Sequence, residues 1–343
     1  MKLIEIKESE LKSITLFLID KKIILHPIIS PDGIPDFSGY EGREFIVILD
    51  RNILIGIIRL VNNGELKDTH SLKVISCFLA WSEFNNIALN SGLALTEYSH
   101  HHGSNIESSK ENNIFLHIYK QYSPRDWFDL AMGKTKTIPK IELEKRKDFE
   151  FFLEDDHFKM HYLEMLKLSQ LYFSDEHEIV KKFELFHKWV FDNILICKYT
   201  TYFAVMLLGG KSKTFRKNEI DYESINRICN NVAWDLTYLS FWSTQYYYEK
   251  DAKQVYLFAT MDKELRDLFF LTHKESLEIY KEVFGEQKGQ TIINSVSEIY
   301  VKRNKPEINP IVLDKMIQEE QINLNETLNR KTLSNNVHDD HVG

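Results

Sequence analysis

Residues 44–52 read EFIVILDRN, and this stretch decides the fold. Its run of β-branched and aromatic residues predicts a buried strand that ends at Asp50, and a helix is expected to begin just after it. A second apolar run, VYLFAT at residues 255–260, is followed by Asp262. Open α/β sheets place their ligand-binding groups at the carboxyl ends of strands. The sequence therefore predicts an α/β fold in which Asp50 and Asp262 share one crevice.

Two further acids lie in helical surroundings. Glu97 is found in GLALTEYS at residues 92–99, and Asp235 in NNVAWDLTYL at residues 230–239. Four carboxylates in one crevice repel one another unless a hard divalent cation neutralises them, and Mg²⁺ or Mn²⁺ prefers such oxygen ligands. We therefore expect Asp50, Glu97, Asp235 and Asp262 to form a metal site. The alternative is that the strand-end acids only cap helices and that Asp235 is a surface residue.

In three segments the chain resembles the PIN-domain family of ribonucleases. These are ILDRNILIGI at 48–57, NVAWDLTYL at 231–239 and LFATMDKELRDL at 257–268. The first matches the family's strand-end Asp with an Asn two residues later. The second matches its helical Asp, and the third its Thr-x-Asp followed by a Leu-rich helix. The matched regions, roughly residues 44–102 and 226–271, are well under half of the chain.

The resemblance implies a PIN-like fold with a parallel central sheet flanked by helices, and an endoribonuclease dependent on Mg²⁺ or Mn²⁺. Asp50, Glu97, Asp235 and Asp262 would hold the metal, while Asn52 and Thr260 would orient acids or water. By analogy, such an enzyme serves as a bacterial toxin or defence effector. The alternative is an inactive PIN-like scaffold that binds a protein or nucleic-acid partner through inserted helices.

The second family acid is a helical Glu, and the spacing leaves its identity open. Glu97 is our choice and Glu83 is the competing candidate. Glu97 and Asp235 stand 138 positions apart, which exceeds what a compact PIN domain holds, so a large insertion is expected. We predict four segments: the first part of the PIN-like domain at 1–123, a helical insertion at 124–224, the second part at 225–304, and a partly disordered C-terminal extension at 305–343.

Composition indicates a folded protein with reduced cysteines. The chain has 343 residues, is 43% hydrophobic and carries 22 Phe, 16 Tyr and 5 Trp, which is ample for a packed core. Three widely spaced cysteines in apolar or helical contexts suit a cytoplasmic protein. Neither a spanning segment nor a signal peptide is expected, so no membrane partner is predicted.

The net charge of −8 argues at first sight against nucleic acid, but the cations are clustered. Basic stretches lie at residues 134–147 and 209–217, near the two ends of the expected insertion. We expect both to flank the acidic crevice, with Lys211, Lys213 and Arg216 contacting RNA; an ordinary solvated surface is the alternative. The expected partners are thus an RNA substrate and either a protein inhibitor or a second copy of the chain.

Histidine pairs offer rival sites that we disfavour. Glu97 and His101 stand four residues apart and could share zinc or iron, but a histidine-rich helix end is the preferred interpretation. His157 and His161 also stand four residues apart, in DDHFKMHYLE, and Glu164 follows His161 by three residues. This is the reverse of the order that di-iron bundles use, and all three residues are expected on the surface.

Other segments give simpler expectations. Residues 14–20 (ITLFLID) are interpreted as strand-like or buried, and residues 72–90 as helical. Beyond Pro310 we expect one short helix, with disorder from about Leu333.

Overall fold

The computed structural model describes residues 6–28, 38–140, 148–151, 156–215, 221–249, 253–274, 277–300 and 308–339. Within these ranges the chain forms four strands and fourteen α-helices. The strands are β1 (Ile24–Leu25), β2 (Glu44–Leu49), β3 (Ala88–Asn90) and β4 (Gln254–Ala259). The helices are α1 (Glu8–Lys21), α2 (Arg51–Asn63), α3 (Thr69–Phe84), α4 (Gly92–His102), α5 (Asn105–Leu116), α6 (Pro124–Ala131), α7 (Asp156–Phe173), α8 (Ile179–Asn193), α9 (Lys198–Leu208), α10 (Tyr222–Tyr247), α11 (Lys263–His273), α12 (Glu278–Phe284), α13 (Glu286–Tyr300) and α14 (Pro310–Asp339).

The chain divides into two compact units. Unit 1 consists of Met1–Glu154 and Trp242–Arg266, and unit 2 consists of Asp155–Phe241 and Asp267–Gly343. All four strands given above lie in unit 1, whereas the described part of unit 2 is helical. None of the described helices combines the length and the apolar character needed to cross a membrane.

The sheet of unit 1 is mixed, with the strand order β1-β4-β2-β3. β2 is parallel to both β3 and β4, and Leu49 pairs with Ala259 at the end of the β2–β4 ladder. β1 runs antiparallel to β4, so the sheet is not wholly parallel as the sequence suggested. The last three residues of β2 and of β4 are buried, because helices cover the carboxyl ends of these strands.

Two sequence expectations for unit 1 were right only in part. Residues 14–20 belong to helix α1, not to a strand: Glu10, Ile14 and Leu18 recur every four residues and form its buried face. The helix expected over residues 72–90 ends at Phe84, and a short turn then leads into the edge strand β3. That strand has only three residues, so it shows little alternation.

Unit 2 is built around α7, which packs against α8, α9 and α14. The C-terminal segment is therefore not a short helix with a disordered end: α14 continues to Asp339 and packs along α7, with Leu313, Leu324 and Leu328 buried. Residues 340–343 lie outside the described residues. These three leucines are spaced by close to whole turns of a helix, so they lie on one face. Burial of that face explains why a mostly polar segment forms a helix.

The units also follow different boundaries from the predicted segments. Unit 1 continues past residue 123 because α6 packs on α3. On the C-terminal side only residues 242–266 belong to unit 1, whereas residues 225–241 and 267–304 belong to unit 2. Unit 2, whose described part is helical, is thus formed by two separate stretches of chain, whereas the sequence suggested one insertion.

Candidate functional site

Asp50 stands where the two central parallel strands end. Its amide donates a hydrogen bond to the Ala259 carbonyl at 3.0 Å, which extends the β2–β4 ladder by one residue. Asp50 occupies the N-cap position of α2 but makes no side-chain cap hydrogen bond. Its carboxylate is therefore not used to start the helix, which argues against the interpretation of Asp50 as a simple cap.

The Asp50 carboxylate is held instead by the two residues expected to orient it. The Thr260 hydroxyl donates to Oδ2 of Asp50 at 2.5 Å, and Nδ2 of Asn52 also donates to this oxygen. Oδ1 of Asn52 accepts from the Met261 amide at 3.0 Å. The Thr260 hydroxyl in turn accepts from the Asp262 amide at 2.9 Å. The Asp-x-Asn and Thr-x-Asp motifs thus form one hydrogen-bonded network.

This arrangement buries a carboxyl group at an electrostatic cost. Asp50 is 3% exposed, and burial raises its pKa from 3.8 to about 7. The hydrogen bond from Thr260 opposes the rise in pKa, whereas the negative charges of Glu97 and Asp262 add to it. The three carboxyl groups are therefore close enough to influence one another, as expected for acids that converge on one crevice.

Glu97 and Asp262 hold less buried positions in the same unit. Glu97 lies on α4 with its side chain 15% exposed. Asp262 is exposed and precedes α11, where its Oδ1 accepts from the Leu265 amide at 2.9 Å. Asp262 therefore caps α11 with one oxygen, so the capping interpretation holds for this residue in part.

The structure separates the two candidates for the helical Glu. Glu83 is exposed near the C-terminal end of α3 and lines a cleft together with Glu44 and Phe45 from the amino-terminal end of β2. It does not contribute to the raised pKa of Asp50, whereas Glu97 does. These placements favour Glu97 over Glu83.

Arg51, which follows Asp50, fixes the helices around this cluster. Its guanidinium forms a two-pronged ion pair with Glu111 of α5, at 2.5 and 3.0 Å. It also lies over the Tyr98 ring of α4, 4.1 Å from the ring centroid. Because Tyr98 is adjacent to Glu97, this contact ties the start of α2 to the turn of α4 that carries Glu97. We did not identify Tyr98 or Glu111 from the sequence, since their positions along the chain do not show this convergence.

Asp235 lies on α10 as expected, half-buried, but it belongs to unit 2. The structure therefore brings Asp50, Glu97 and Asp262 into one unit and leaves Asp235 in the other. Among the described residues, no three His, Cys, Asp or Glu side chains already stand in metal-binding geometry. The side chains nevertheless suit a hard cation, because Asp50, Glu97 and Asp262 all offer carboxylate oxygens. A cation would also offset the negative charges of Glu97 and Asp262, which oppose the ionisation of Asp50.

Like the four acids, the two expected basic stretches are distributed over both units. In the first, Lys134 pairs with Glu10 of α1, Lys140 lines a cleft beside Asn52, and residues 141–147 lie outside the described residues. In the second, Lys211 and Lys213 are exposed in unit 2, and Arg216 lies outside the described residues.

The histidine pairs have different outcomes. His101 lies in the last turn of α4 and faces Glu97 across 3.6 Å, in agreement with the preferred helix-end interpretation. Of the three residues expected on the surface in DDHFKMHYLE, His157 is exposed, but His161 and Glu164 are completely buried, so the prediction was wrong for these two. They share the buried face of α7 with Leu168, and that spacing was the available signal.

These two residues belong to a buried polar network inside unit 2. Nδ1 of His161 lies 2.7 Å from Oε2 of Glu164, and Nε2 lies 2.9 Å from the Ser240 hydroxyl. The Thr200 hydroxyl donates to the same Glu164 oxygen at 2.6 Å. The hydrogen-bonded order Ser–His–Glu resembles a catalytic triad, but the histidine and glutamate side chains are completely buried. The network therefore joins α7, α9 and α10 rather than facing a substrate.

Comparison of the chain with family models, with curated proteins and with solved structures gave no match.

Proposed function

We propose that this protein is a metal-dependent ribonuclease with a PIN-like site, hydrolysing phosphodiester bonds with Mg²⁺ or Mn²⁺. The observation that supports this most is the hydrogen-bonded network of Asp50, Asn52, Thr260 and Asp262 at the ends of two parallel strands. The motifs were chosen from the sequence as parts of one site, although more than 200 residues separate them.

In this proposal the chain holds and orients the acids. Asp50, Glu97 and Asp262 of unit 1 would hold the cation, and the role of Asp235 stays a prediction from its sequence motif. Thr260 and Asn52 both bond to Oδ2 of Asp50, so Oδ1, which takes neither of these bonds, is the oxygen offered to a cation. A bound Mg²⁺ or Mn²⁺ would supply an activated water and neutralise charge on the scissile phosphate.

The first prediction is loss of RNA cleavage when the cluster is altered. With Mn²⁺ present, Asp50→Asn should reduce the cleavage rate of labelled RNA at least about 100-fold, because the variant loses an anionic ligand. Thr260→Val should reduce it about 10- to 100-fold, because the variant keeps the acid but loses the bond that orients it. The same assay with Asp235→Asn tests whether Asp235 contributes to cleavage. Each protein is assayed with single-stranded and with structured RNA.

Glu83→Gln is the matched control, since Glu83 is an acid of the same unit that does not add to the raised pKa of Asp50. It should cleave RNA like the wild type. Undiminished cleavage by both Asp50→Asn and Asp235→Asn would contradict the proposal. Absence of cleavage by the wild type, together with absence of stabilisation by Mn²⁺, would instead favour the inactive scaffold.

A further inference from the structure

A cleft opens beside the acidic cluster in unit 1. It encloses about 650 Å³ and is lined by residues of α2, of the turn after α2 and of the start of α3. Asn52 and Met261 also line it, and Asn52 is the residue that donates to the Asp50 carboxylate. The cleft is thus one hydrogen bond away from the proposed metal ligand.

Three cations line this cleft: Arg59, Lys67 and Lys140. All three side chains are exposed, and none of them forms an ion pair with a residue that the structure describes. Some other cations of unit 1 are neutralised by a neighbouring acid, as Lys134 is by Glu10 and Arg51 by Glu111. The three cations outnumber the two acids of the lining, Glu65 and Asp68, so the cleft carries a small net positive charge next to a negative cluster, in a protein of net charge −8.

Lys140 is brought to the cleft by a close backbone contact. The Ile138 amide donates to the Gly64 carbonyl at 2.8 Å, and the Ile138 side chain is buried. Gly64 ends α2 with a φ of 75°, and a Cβ at this position would lie 2.9 Å from the Ile138 carbonyl oxygen. The segment that carries Lys140 can cross the end of α2 because residue 64 is glycine.

We infer that this cleft binds the phosphate backbone of a single RNA strand and directs the strand toward Asp50. This inference rests on the proposed ribonuclease function and identifies its substrate-binding surface. Guanidinium and ammonium groups on the walls suit phosphate oxygens, and binding would release counterions from the RNA. Sequence analysis did not identify Arg59 and Lys67, because each is isolated along the chain.

The composition and size of the cleft favour backbone contacts with one strand. None of the described residues that line it is aromatic, so they offer no ring for base stacking. Its volume is that of a site for a small ligand, about 300–1,000 Å³, so a duplex could only lie across its mouth. Two acids, Glu65 and Asp68, share the lining. Asp68 caps α3 by accepting from the Ser71 amide at 2.8 Å, and its carboxylate would repel a strand that passed too close.

The test is RNA binding measured without cleavage. The full chain carrying Asp50→Asn is titrated in EDTA with a labelled 12-nucleotide single strand, at several salt concentrations. Adding Arg59→Ala, Lys67→Ala and Lys140→Ala should raise the Kd about 100-fold at 0.1 M salt. The slope of log K against log salt should become shallower by about 2, because a single strand loses about 0.7 per phosphate contact.

Two controls separate this role from a general effect of charge or folding. Replacing Lys12, Lys110 and Lys120, which are exposed cations of unit 1 outside the cleft, with Ala should leave the Kd within about 3-fold. Arg59→Lys, Lys67→Arg and Lys140→Arg keep the charge and should retain binding. Equal loss of binding in the Lys12, Lys110 and Lys120 control would overturn the inference.

The result can be distinguished from the outcome for the proposed function. If the wild type cleaves RNA, Asp50→Asn does not, and the Arg59, Lys67 and Lys140 replacements leave affinity and salt slope unchanged, the cleft inference is overturned while the ribonuclease stands. If the wild type neither binds nor cleaves RNA, both fail. If duplex RNA binds as tightly as the single strand and loses affinity equally, binding of one strand inside the cleft is overturned.

Discussion

At the scale of single residues, Asp50 determines how the site responds to pH and to metal. Its pKa rises from 3.8 to about 7, chiefly because the side chain is buried. Between these two pH values the folded protein holds a proton on Asp50 that the unfolded chain has released. Stability therefore falls as the pH rises through this window, by up to about 4 kcal/mol when no cation is bound.

A prediction follows for thermal unfolding. In EDTA at pH 8, Asp50→Asn should melt several degrees above the wild type, because the neutral amide removes the cost of a buried negative charge. The difference should shrink toward pH 4, which is close to the ordinary pKa of 3.8, because below that value the wild-type carboxyl group is protonated in both states. Differential scanning calorimetry across pH 4–8 measures this. A wild type that melts above Asp50→Asn throughout the range would show that Asp50 is not destabilised by its charge.

Mn²⁺ provides the complementary measurement. It should raise the melting temperature of the wild type more at pH 8 than at pH 5, since protons compete with the cation for the carboxylates. The Asp50→Asn variant should show a much smaller response. An equal response in both proteins would place the cation elsewhere.

At the scale of elements, the reliable sequence signals were strong local patterns. EFIVIL and QVYLFA are long apolar runs that ended where expected, and the acids that follow them meet because parallel neighbours end at the same edge. The edge strand β3 was missed because its three residues have no periodicity. Arg51 and Glu111 come from separate helices, and the cleft cations come from α2, the turn after it and the segment at residue 140, so only tertiary packing brings the members of each group together.

The corner between α12 and α13 gives a prediction at this scale. Gly289 is buried, and a Cβ there would lie 2.5 Å from backbone atoms of Lys281. Backbone atoms cannot rotate away as a side chain can. Gly289→Ala should therefore destabilise the protein by about 1–3 kcal/mol, although alanine favours helix by about 1 kcal/mol.

Urea unfolding measures this effect, with Lys288→Ala as control because Lys288 is the exposed neighbour on the same helix. The control should be within about 0.5 kcal/mol of the wild type. Stabilisation by Gly289→Ala would mean that the two helices are less closely packed than described.

At the scale of the whole molecule, each unit is assembled from distant parts of the chain. The strand β4 completes the sheet of unit 1 between β1 and β2, although more than 200 residues separate it from β2. In unit 2, α14 returns to α7 from the far end of the chain. Sequence reasoning assumes that neighbouring segments belong together, so its segment boundaries differ from those of the two units, and it expected only a short C-terminal helix where α14 extends to Asp339.

The last prediction tests whether α14 is part of the core of unit 2. Leu324 is fully buried, whereas Ile322, two residues earlier on the same helix, is 60% exposed. Leu324→Ala should lower the free energy of unfolding by about 2–5 kcal/mol, because it removes buried methyl groups and leaves a cavity. Ile322→Ala should change it by less than about 0.5 kcal/mol. Urea denaturation followed by circular dichroism compares the two, and equal, small effects would mean that α14 does not pack on α7 in solution.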